Sequence, residues 1–418
     1  MELKKYRLGE IVDFNKETIS RHDNLLEIKY LDTSNILDNV IYETPSMKLS
    51  EAPSRAQRKV KHLTIIYSTV RPRLKHHGIL QMPPENLIVS TGFATLDIKD
   101  SYENMIDATY LYLLLTQSSV TEYLGNIADT AVSAYPSINP SDISSLSFIF
   151  PDITIQRKIA SIWTSYDQKI HLNSVINDNL EAMAKQLYDY WFVQFDFPNE
   201  EGKPYKSSGG AMVWNEKLKR EIPKAWYADN ICKIANILSG GTPSKAVGDY
   251  WNNGTIPFFG PTDYNGNVFQ IKTADHITQK GLEHCASSLF EEGIVIITAR
   301  GSIGKLVIVG TPMAMNQSCY ALQSKEGEFE YLYFLTTQLI DCLKAKGSGS
   351  VFKSIIASDI EHSILCVATE NIVSDFCKKV KPLFEKLKTN TIEIAELTKQ
   401  RDELLPLLMN GQATVNSD

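Results

Sequence analysis

Short apolar runs rich in β-branched residues dominate the first 152 residues, and Pro, Gly, Asn and Asp residues bound each run. The clearest runs are residues 62–70, 86–91 and 145–150. Runs punctuated in this way are typical of β-strands. Residues 110–124 are instead apolar at helical spacing, so we expect one helix there. Residues 1–152 are therefore predicted to form a mixed, strand-rich domain.

The apolar period changes at residue 153, where apolar residues begin to recur every three or four positions as far as Tyr190. About 35–40 residues without Gly or Pro, at ~1.5 Å each, predict a helix on the order of 55 Å long. We assign residues 153–195 to this helix and residues 196–225, which have turn chemistry, to a linker. Strand-like runs at 293–299 and 305–310 place a second mixed domain at residues 226–368.

A second long helix is predicted within residues 369–418. Its seam positions alternate steps of three and four, as in a coiled coil that needs a partner helix. They are Val380, Leu383, Leu387, Asn390, Ile394, Leu397, Arg401, Leu404 and Leu408. Pro382 lies inside this pattern. We therefore expect either a kink or break near Lys381 or a helix that starts at the proline.

Two segments about half a chain apart repeat each other. YLYLLLTQ at residues 110–117 returns as YLYFLTTQ at 331–338, an offset of 221 with six of eight residues identical. Residues 137–143 match 354–360 at an offset of 217, and residues 69–71 (TVR) correspond to 298–300 (TAR). This period exceeds the roughly 20–50 residues of a solenoid repeat. We predict an α+β fold with a pseudo-two-fold repeat: two mixed domains, each followed by a long helix.

Asn173 and Asn390 lie on the two helical seams, 217 residues apart. A buried seam Asn costs stability but fixes register where it can pair with another. We therefore expect two antiparallel helices that hold the domains apart at opposite ends, with these residues setting the register of the spacer. The alternative is that each Asn faces solvent at a loose point of the coil.

Composition limits the class of protein. The chain has 418 residues, no apolar run of about 18 residues, and no apolar core near its start that resembles a signal peptide. All six cysteines lie in the second half without a CxxC pair, which favours reduced thiols in a cytoplasm. We expect a cytoplasmic protein without a metal site.

A formal net charge of −7 hides local basic windows. Residues 52–84, 293–325 and 342–358 contain no Asp or Glu. A basic stripe on an acidic protein is a plausible phosphate footprint, although a solvated surface without carboxylates would look the same. Candidate DNA-binding residues in these windows and in neighbouring loops are Arg55, Arg58, Lys59, Arg71, Arg73, Lys75, Thr242, Ser244, Lys245, Arg300, Lys305, Asn316, Gln317, Lys346 and Lys353.

Motifs for catalysis are missing from the sequence. There is no GxxxxGK[ST] phosphate loop, no HExxH, no GxSxG and no [ND]PP[YF] tetrapeptide of the kind a DNA amino-methyltransferase needs. His76 and His77 are adjacent, so in a strand they would point to opposite faces and are poorly placed as metal ligands. We therefore predict no catalytic residues and no metal.

Binding signals remain in the second domain. Residues 239–244 (SGGTPS) form a loop with many backbone amides, which either lies near a phosphate or makes a tight turn between strands. Asn316 and Gln317 are amides, which can pair with adenine. The aromatics of residues 250–264 either pack in a core or line a groove.

These segments carry a family resemblance. Residues 239–264 (SGGTPSKAVGDYWNNGTIPFFGPTDY) resemble the opening of a target-recognition domain in specificity subunits of Type I restriction-modification enzymes. Residues 156–191 are similar to the central conserved helix of that family, 397–415 to its carboxyl-terminal conserved helix, and 195–226 to its inter-repeat linker. The first domain departs from the pattern, because residues 14–16 (FNK) stand where the second domain has GGTPS.

The resemblance implies a subunit without an active site or cofactor of its own. Each recognition domain would read one half of a bipartite, asymmetric DNA target, and the paired helices would set the gap. Two methyltransferase subunits would supply S-adenosylmethionine, and restriction subunits would supply ATP and Mg for defence against foreign DNA.

Two other interpretations stay open at the level of sequence. One is a self-sufficient methyltransferase-nuclease, which the missing tetrapeptides disfavour. The other is a coiled-coil adaptor that bridges two proteins without touching DNA.

Overall fold

A computed structural model describes residues 3–20, 22–23, 25–130, 136–346 and 354–413. The chain divides into two compact units, Met1–Asp167 with Gln400–Asp418 (unit 1) and Gln168–Lys399 (unit 2). Each unit combines β-sheets with helices, so the fold is α+β, as predicted. In the described part of the chain, no helix has the length and apolar character needed to cross a membrane.

Unit 1 contains twelve strands in its described residues. They are Lys4–Arg7, Val12–Phe14, Glu27–Leu31, Ile36–Leu37, Val40–Ile41, Ser46–Lys48, Ala56–Lys59, Ile65–Ser68, His77–Ile79, Leu87–Ser90, Phe93–Ile98 and Ser147–Phe150. Its α-helices are Leu8–Ile11, Ala108–Leu115, Ser118–Thr130 and Pro140–Ser144, with 3-10 turns at Thr33–Asn35, Leu49–Glu51, Pro72–Leu74 and Asp100–Tyr102. Strands lie in all three of the runs that predicted them, 62–70, 86–91 and 145–150.

Two four-stranded sheets form the body of unit 1. One is antiparallel, in the order Val12–Phe14, Phe93–Ile98, Ile65–Ser68, His77–Ile79. The other has the order Ser46–Lys48, Glu27–Leu31, Leu87–Ser90, Ala56–Lys59, and its central pair is parallel. The first and last strands of the domain, Lys4–Arg7 and Ser147–Phe150, pair with each other.

Unit 2 repeats this plan. Its strands are Met212–Asn215, Arg220–Pro223, Tyr227–Asn230, Ala235–Ser239, Ile256–Phe259, Phe269–Gln270, Asp275–Ile277, Val295–Thr298, Leu306–Val309, Ala314–Met315, Cys319–Ser324 and Ile364–Val367. Its shorter helical segments are Asp189–Val193 (a π-turn), Ile231–Lys233, Gly248–Tyr250, Pro261–Asp263, Gln279–Glu283, Phe329–Lys346 and Ala357–Glu361.

The sheet topology of unit 2 corresponds to that of unit 1 in seven strands, but one unit 2 sheet has an extra edge strand, Phe269–Gln270, and the other has no counterpart of Ala56–Lys59. A five-stranded sheet runs in the order Ala235–Ser239, Cys319–Ser324, Val295–Thr298, Leu306–Val309, Phe269–Gln270. A three-stranded sheet again contains a parallel pair, here Ile256–Phe259 with Ala314–Met315. Tyr227–Asn230 and Ile364–Val367 close the domain as its first and last strands. The internal repeat therefore exists in the fold as well as in the sequence.

The repeated octapeptides are core segments. Tyr110 and Tyr331 are the first residues of the two octapeptides, and each is only 2% exposed. The expected single helix over 110–124 is wrong: the chain makes two helices, Ala108–Leu115 and Ser118–Thr130, and Thr116 interrupts them. Thr116 ends the first helix in a non-helical conformation (φ −95°, ψ 2°), and its hydroxyl donates to the carbonyl of Tyr112 (3.0 Å).

Two long helices run through both units, Ile153–Tyr188 (the first long helix) and Glu370–Met409 (the second long helix). The expected break at Pro382, or a helix start there, is wrong because the second long helix is continuous through it. Pro382 is exposed, so water can solvate the carbonyl of Lys378 that loses its helical donor.

The helices pack antiparallel within each unit. In unit 2, Asn173 Nδ2 donates to Glu393 Oε2 (3.0 Å) and Asn390 Nδ2 donates to Asn177 Oδ1 (3.0 Å). Residue numbers therefore increase along one helix while they decrease along the facing helix. The seam residues Val380 and Leu387 are buried, as predicted. In unit 1 the same helices bury residues in the core of the first domain: Ile159, Trp163 and Leu408.

The sequence suggested that Asn173 and Asn390 could pair, but in the structure they do not contact each other as hydrogen-bond partners. The offset of 217 makes them equivalent, and equivalent residues of an antiparallel pair face each other only at its centre. Each lies just to one side of that centre, so Asn390 meets Asn177 and Asn173 meets Glu393. Asn177 Nδ2 also donates to the Thr391 hydroxyl (3.3 Å). The two long helices do make polar contacts at this point, but these involve Asn177, Thr391 and Glu393 as well as the two predicted asparagines.

Candidate nucleic-acid interface

Four loops meet at one place in unit 2, each following the carboxyl end of a strand. They are residues 240–245, 260–264, 300–305 and 316–318, and together we call them the unit 2 loop cluster. The amide N–H of Arg300 donates to the carbonyl of Ser318 (3.2 Å), and that of Asn316 donates to the carbonyl of Phe259 (2.9 Å). The first bond links two of the loops, and the second ties residues 316–318 to the end of the strand that leads into residues 260–264.

Two glycines allow the fourth loop, residues 240–245, to pack against residues 315–316. A Cβ on Gly240 would lie 2.1 Å from the carbonyl oxygen of Asn316, and one on Gly241 would lie 2.7 Å from the amide nitrogen of Ala286. The amide of Gly241 donates to the carbonyl of Met315 (3.1 Å). Only glycine permits this approach of backbone to backbone. The Gly-Gly pair therefore serves loop packing.

Thr242 and Gln317 connect the two loops through side chains. The Thr242 hydroxyl donates to Gln317 Oε1 across the cluster, and both residues are exposed. Asn316 is used differently, because its Oδ1 accepts the amide N–H of Ser318 (2.9 Å). An adenine pair needs both the oxygen and the nitrogen of an amide. Both amide oxygens accept a bond within the cluster, and the two residues differ in exposure: Gln317 is exposed, whereas Asn316 is half-buried.

Cations surround the cluster. Lys305 Nζ lies 5.2 Å from the centre of the Tyr264 ring, and Arg300 is exposed. Lys245 Nζ lies 5.3 Å from the centre of the Trp251 ring and 3.7 Å from Asp275. Cation–π contacts of this kind hold a charge near an aromatic face while leaving it accessible. The carbonyl of Ser244 accepts Trp251 Nε1–H (3.1 Å), so Ser244 supports the loop through its backbone.

A corresponding cluster exists in unit 1, formed by residues 32–35, 69–71 and 90–92 with Arg55. The amide and hydroxyl of Thr69 both donate to the carbonyl of Gly92 (2.9 and 3.0 Å), and the amide of Thr91 donates to the carbonyl of Arg55 (2.8 Å). Arg55 is exposed, and Arg71 has left-handed backbone (φ 48°). We call this the unit 1 loop cluster. Sequence reasoning found Arg55 and Arg71 but not residues 32–35 or 90–92, whose only signal was the spacing of the repeat.

The remaining basic candidates of unit 1 lie outside that cluster. Arg73 bridges Glu122 (2.9 Å), Asp129 (2.5 Å) and Asn126 (2.6 Å), so it ties its 3-10 turn to the helix Ser118–Thr130. Lys59 pairs with Asp23 (2.8 Å). The half-buried Arg58 sits beside it on the strand Ala56–Lys59, and Lys75 lines a separate cavity with Tyr112, Trp163 and Arg401.

Two candidates of unit 2 cannot be placed in the cluster. Lys346 ends the helix Phe329–Lys346, and its side chain lies outside the described residues, as does Lys353 altogether. The DNA-binding role of these and the other candidates stays a prediction.

His77 is a buried residue with a structural role. His77 is 1% exposed, its Nδ1 lies 3.1 Å from the Tyr112 hydroxyl, and burial lowers its pKa to about 4. Its ring also stacks on Tyr67, with 5.5 Å between centroids. Among the residues that the structure describes, no group of three His, Cys, Asp or Glu side chains is placed to hold a metal ion.

Comparison with known proteins agrees with this architecture. Residues 1–182 and 223–367 match the family described as the Type I restriction modification DNA specificity domain. The chain is 26% identical to the Type I restriction enzyme HindI specificity subunit of Haemophilus influenzae, across 98% of this chain and 99% of that protein. It is 28% identical to the MjaIX specificity subunit of Methanocaldococcus jannaschii, across 81% of this chain and 76% of that one.

The fold has a solved counterpart. The S subunit of a Type I restriction-modification system from M. genitalium aligns over 97% of this chain and 96% of its own, with a TM-score of 0.56 and 16% identity. The family match covers both domains and most of the chain. The chain therefore belongs to the family of Type I restriction-modification DNA specificity subunits, with one target-recognition domain in each unit.

Proposed function

We propose that each loop cluster reads one half of a bipartite DNA target and that the two long helices set the length of the unread gap. The observation that carries this proposal is the repeat itself: the same sheet plan brings a polar loop cluster to the same position in each unit. One continuous pair of helices supplies residues to both units. A doubled reader on a shared spacer suits a single DNA site in two parts.

The target is asymmetric in this proposal because the two clusters offer different chemistry. Unit 1 presents Arg55 and Thr91, whereas unit 2 presents Thr242 and Gln317. Side chains with different donors and acceptors select different base edges in the major groove. Exposed cations beside each cluster, such as Arg300 and Lys305, would neutralise phosphates and position the duplex without reading sequence.

As a specificity subunit the chain is non-catalytic, so chemistry comes from partners. We propose that two methyltransferase subunits dock on the long helices and carry S-adenosylmethionine, while restriction subunits bring ATP and Mg. This chain itself binds no cofactor in this scheme, and the complex acts in the cytoplasm. Leu172, Val175 and Met183 are 59%, 40% and 56% exposed on the first long helix, an apolar stripe at helical spacing that supports docking of partner helices.

The proposal is tested by expressing the chain with its methyltransferase partner in cells that lack other DNA methylation and mapping methylated adenines across the genome. We expect one split, asymmetric motif with a fixed gap. The purified complex should lose DNA affinity steeply with salt, because each phosphate contact releases counterions. A chain that bridges proteins without contacting DNA would give neither result, and methyl transfer by the chain alone would contradict a non-catalytic role.

A further inference from the structure

We infer that residues 269–274, which we call the strap, fix the unit 2 loop cluster to the second long helix, and that Gln270 and Lys272 are positioning residues that keep the unread gap at one length. This inference rests on the proposed function and assigns its spacing precision to residues outside the loop cluster. It comes from an unbroken series of contacts that runs from the loop 260–264 to the helix.

The strap holds one loop of the cluster through Asp263. The Gln270 amide nitrogen donates to the main-chain carbonyl of Asp263 (3.3 Å) and to the carbonyl of Lys272. Both acceptors are carbonyl oxygens, which cannot donate, so the nitrogen of this amide must face them. The main-chain amide of Ala274 donates to Asp263 Oδ1 (2.8 Å). Since Gln270 is only 2% exposed, water cannot readily take the place of its bonds.

The other contacts of the strap are with the second long helix. The rings of Phe269 and Phe384 meet edge to face with 6.3 Å between centroids, and both side chains are 2% exposed. Lys272 Nζ donates to the carbonyl of Ala395 (2.9 Å), about three turns further along the helix. Two attachment points on one rigid helix fix the direction of the strap as well as its position.

Unit 1 reaches the equivalent point of its own long helix by a different route. It lacks the edge strand Phe269–Gln270, but Asn39 follows the loop 32–35, and its Nδ2 donates to Asp167 Oδ2 (3.1 Å). Asp167 lies 217 residues before Phe384, the offset that relates the two long helices. Each unit therefore ties the chain that follows its reading loop to the same helix position. Because the two contacts differ in chemistry, the attachment itself is what the two units share.

This attachment restricts the movement that a different gap would require. One additional base pair shifts a half-site by ~3.4 Å along the duplex and rotates it by about 35°. A loop that is bonded to the strap, which is bonded to the helix, cannot follow this shift without breaking hydrogen bonds. Each such bond corresponds to about a twofold to tenfold change in an equilibrium. Loss of the strap bonds should thus weaken discrimination between gap lengths and not between bases.

The test measures binding of the full chain, assembled with its methyltransferase partner, to DNA duplexes that differ only in the length of the gap. Lys272→Met removes the bond to the helix at an exposed position, and Lys272→Arg keeps a donor there. Gln270→Met removes the bonds to the loop. Lys325→Met is the matched control, because Lys325 is also exposed and its Nζ donates to a main-chain carbonyl, that of Cys232 (2.7 Å), within the recognition domain.

We expect the wild-type complex to prefer one gap length. Lys272→Met should raise the affinity for duplexes with a gap one base pair longer or shorter, relative to the preferred gap, by about twofold to tenfold. Adding Gln270→Met should widen the tolerance further. Lys272→Arg and Lys325→Met should keep the wild-type preference. Base preference within each half-site and the salt dependence of binding should stay unchanged in all of these variants.

Three results would overturn the inference. The first is a Lys272→Met complex that melts with the wild-type midpoint and keeps the wild-type gap preference. The second is an equal loss of affinity at every gap length with a salt slope smaller by about one, which would make Lys272 a phosphate contact. The third is a relaxed base preference with an unchanged gap preference. Failure of the proposed function is distinct, because the wild-type complex would then show neither a split target nor a preferred gap.

Discussion

Replacing Gly240 with alanine should separate the two loops that carry Thr242 and Gln317. The new methyl group would lie 2.1 Å from the carbonyl oxygen of Asn316 and 2.7 Å from that of Met315. The obstacle is backbone, so a rotamer change cannot relieve it. The loop must move by about 1 Å or more, which breaks the Gly241 amide bond to Met315 and the Thr242 hydrogen bond to Gln317.

The expected cost follows from these contacts. Two neutral hydrogen bonds contribute about 0.5–1.5 kcal/mol each, and forcing a methyl group into a packed site costs about 1–3 kcal/mol. Because the loop is partly exposed and can yield, we expect about 2–4 kcal/mol of destabilisation. For a unit of 232 residues this corresponds to a melting temperature lower by about 5–15 °C.

The assay is thermal unfolding followed by tryptophan fluorescence, together with the methylation motif of the assembled complex. Gly9→Ala is the control, because its Cβ would meet Ser144 at an ordinary 3.4 Å. We expect Gly9→Ala to change stability by less than about 1 kcal/mol. Gly240→Ala should also blur the half-site read by unit 2. The close packing of these loops would be refuted if Gly240→Ala had the wild-type melting temperature and the wild-type methylation motif.

Further variants test the remaining assignments. Asn390→Ala should destabilise the helix pair by about 1–3 kcal/mol in urea unfolding, because Asn177 Oδ1 loses its donor; leucine at both positions should recover that loss, and additive single effects would contradict the pairing. Arg73→Met should lower stability only slightly, because its ion pairs are solvent-exposed, and should leave the salt dependence of DNA binding unchanged. Lys305→Ala should instead reduce the slope of log affinity against log salt by about one, and an unchanged slope would remove Lys305 from the interface. Burial holds the pKa of His77 near 4, so the unfolded state binds the extra proton first and stability should fall as pH drops from about 6.5 towards 4. His77→Gln should flatten that part of the urea-midpoint profile, and an unaltered profile would exclude His77 as its source.

The sequence predicted the elements that depend on long patterns. Helical spacing over tens of residues identified both long helices, and the echo of residues 110–117 in 331–338 identified the repeated domain. The continuation of the second long helix through Pro382 was not predicted, because a spacing pattern does not show that this turn is exposed, where water can solvate the carbonyl that loses its donor. The partner of Asn390 was misjudged for a similar reason, since the offset finds equivalent residues and not facing ones.

The candidate site was predicted less completely than the fold. Acid-free windows located Arg55, Arg71, Arg300 and Lys305, which lie in the loop clusters, but equally selected Arg73, whose guanidinium is bound to carboxylates far along the chain. Charge counting cannot distinguish a cation that faces a ligand from one that pairs within the fold. The Thr242–Gln317 bond joins residues 75 positions apart, a contact that only the folded backbone creates.

The spacer claim is tested most directly by lengthening both long helices. Seven residues, one heptad, would be inserted into each at the boundary between units, after Asp167 and after Lys399, which keeps the seam in phase. The insertion adds about 10 Å of helix, equivalent to about three base pairs at ~3.4 Å each. The methylation motif of the assembled complex should keep both half-sites and gain a gap longer by about two to three base pairs. Both half-sites separated by the wild-type gap would contradict the account.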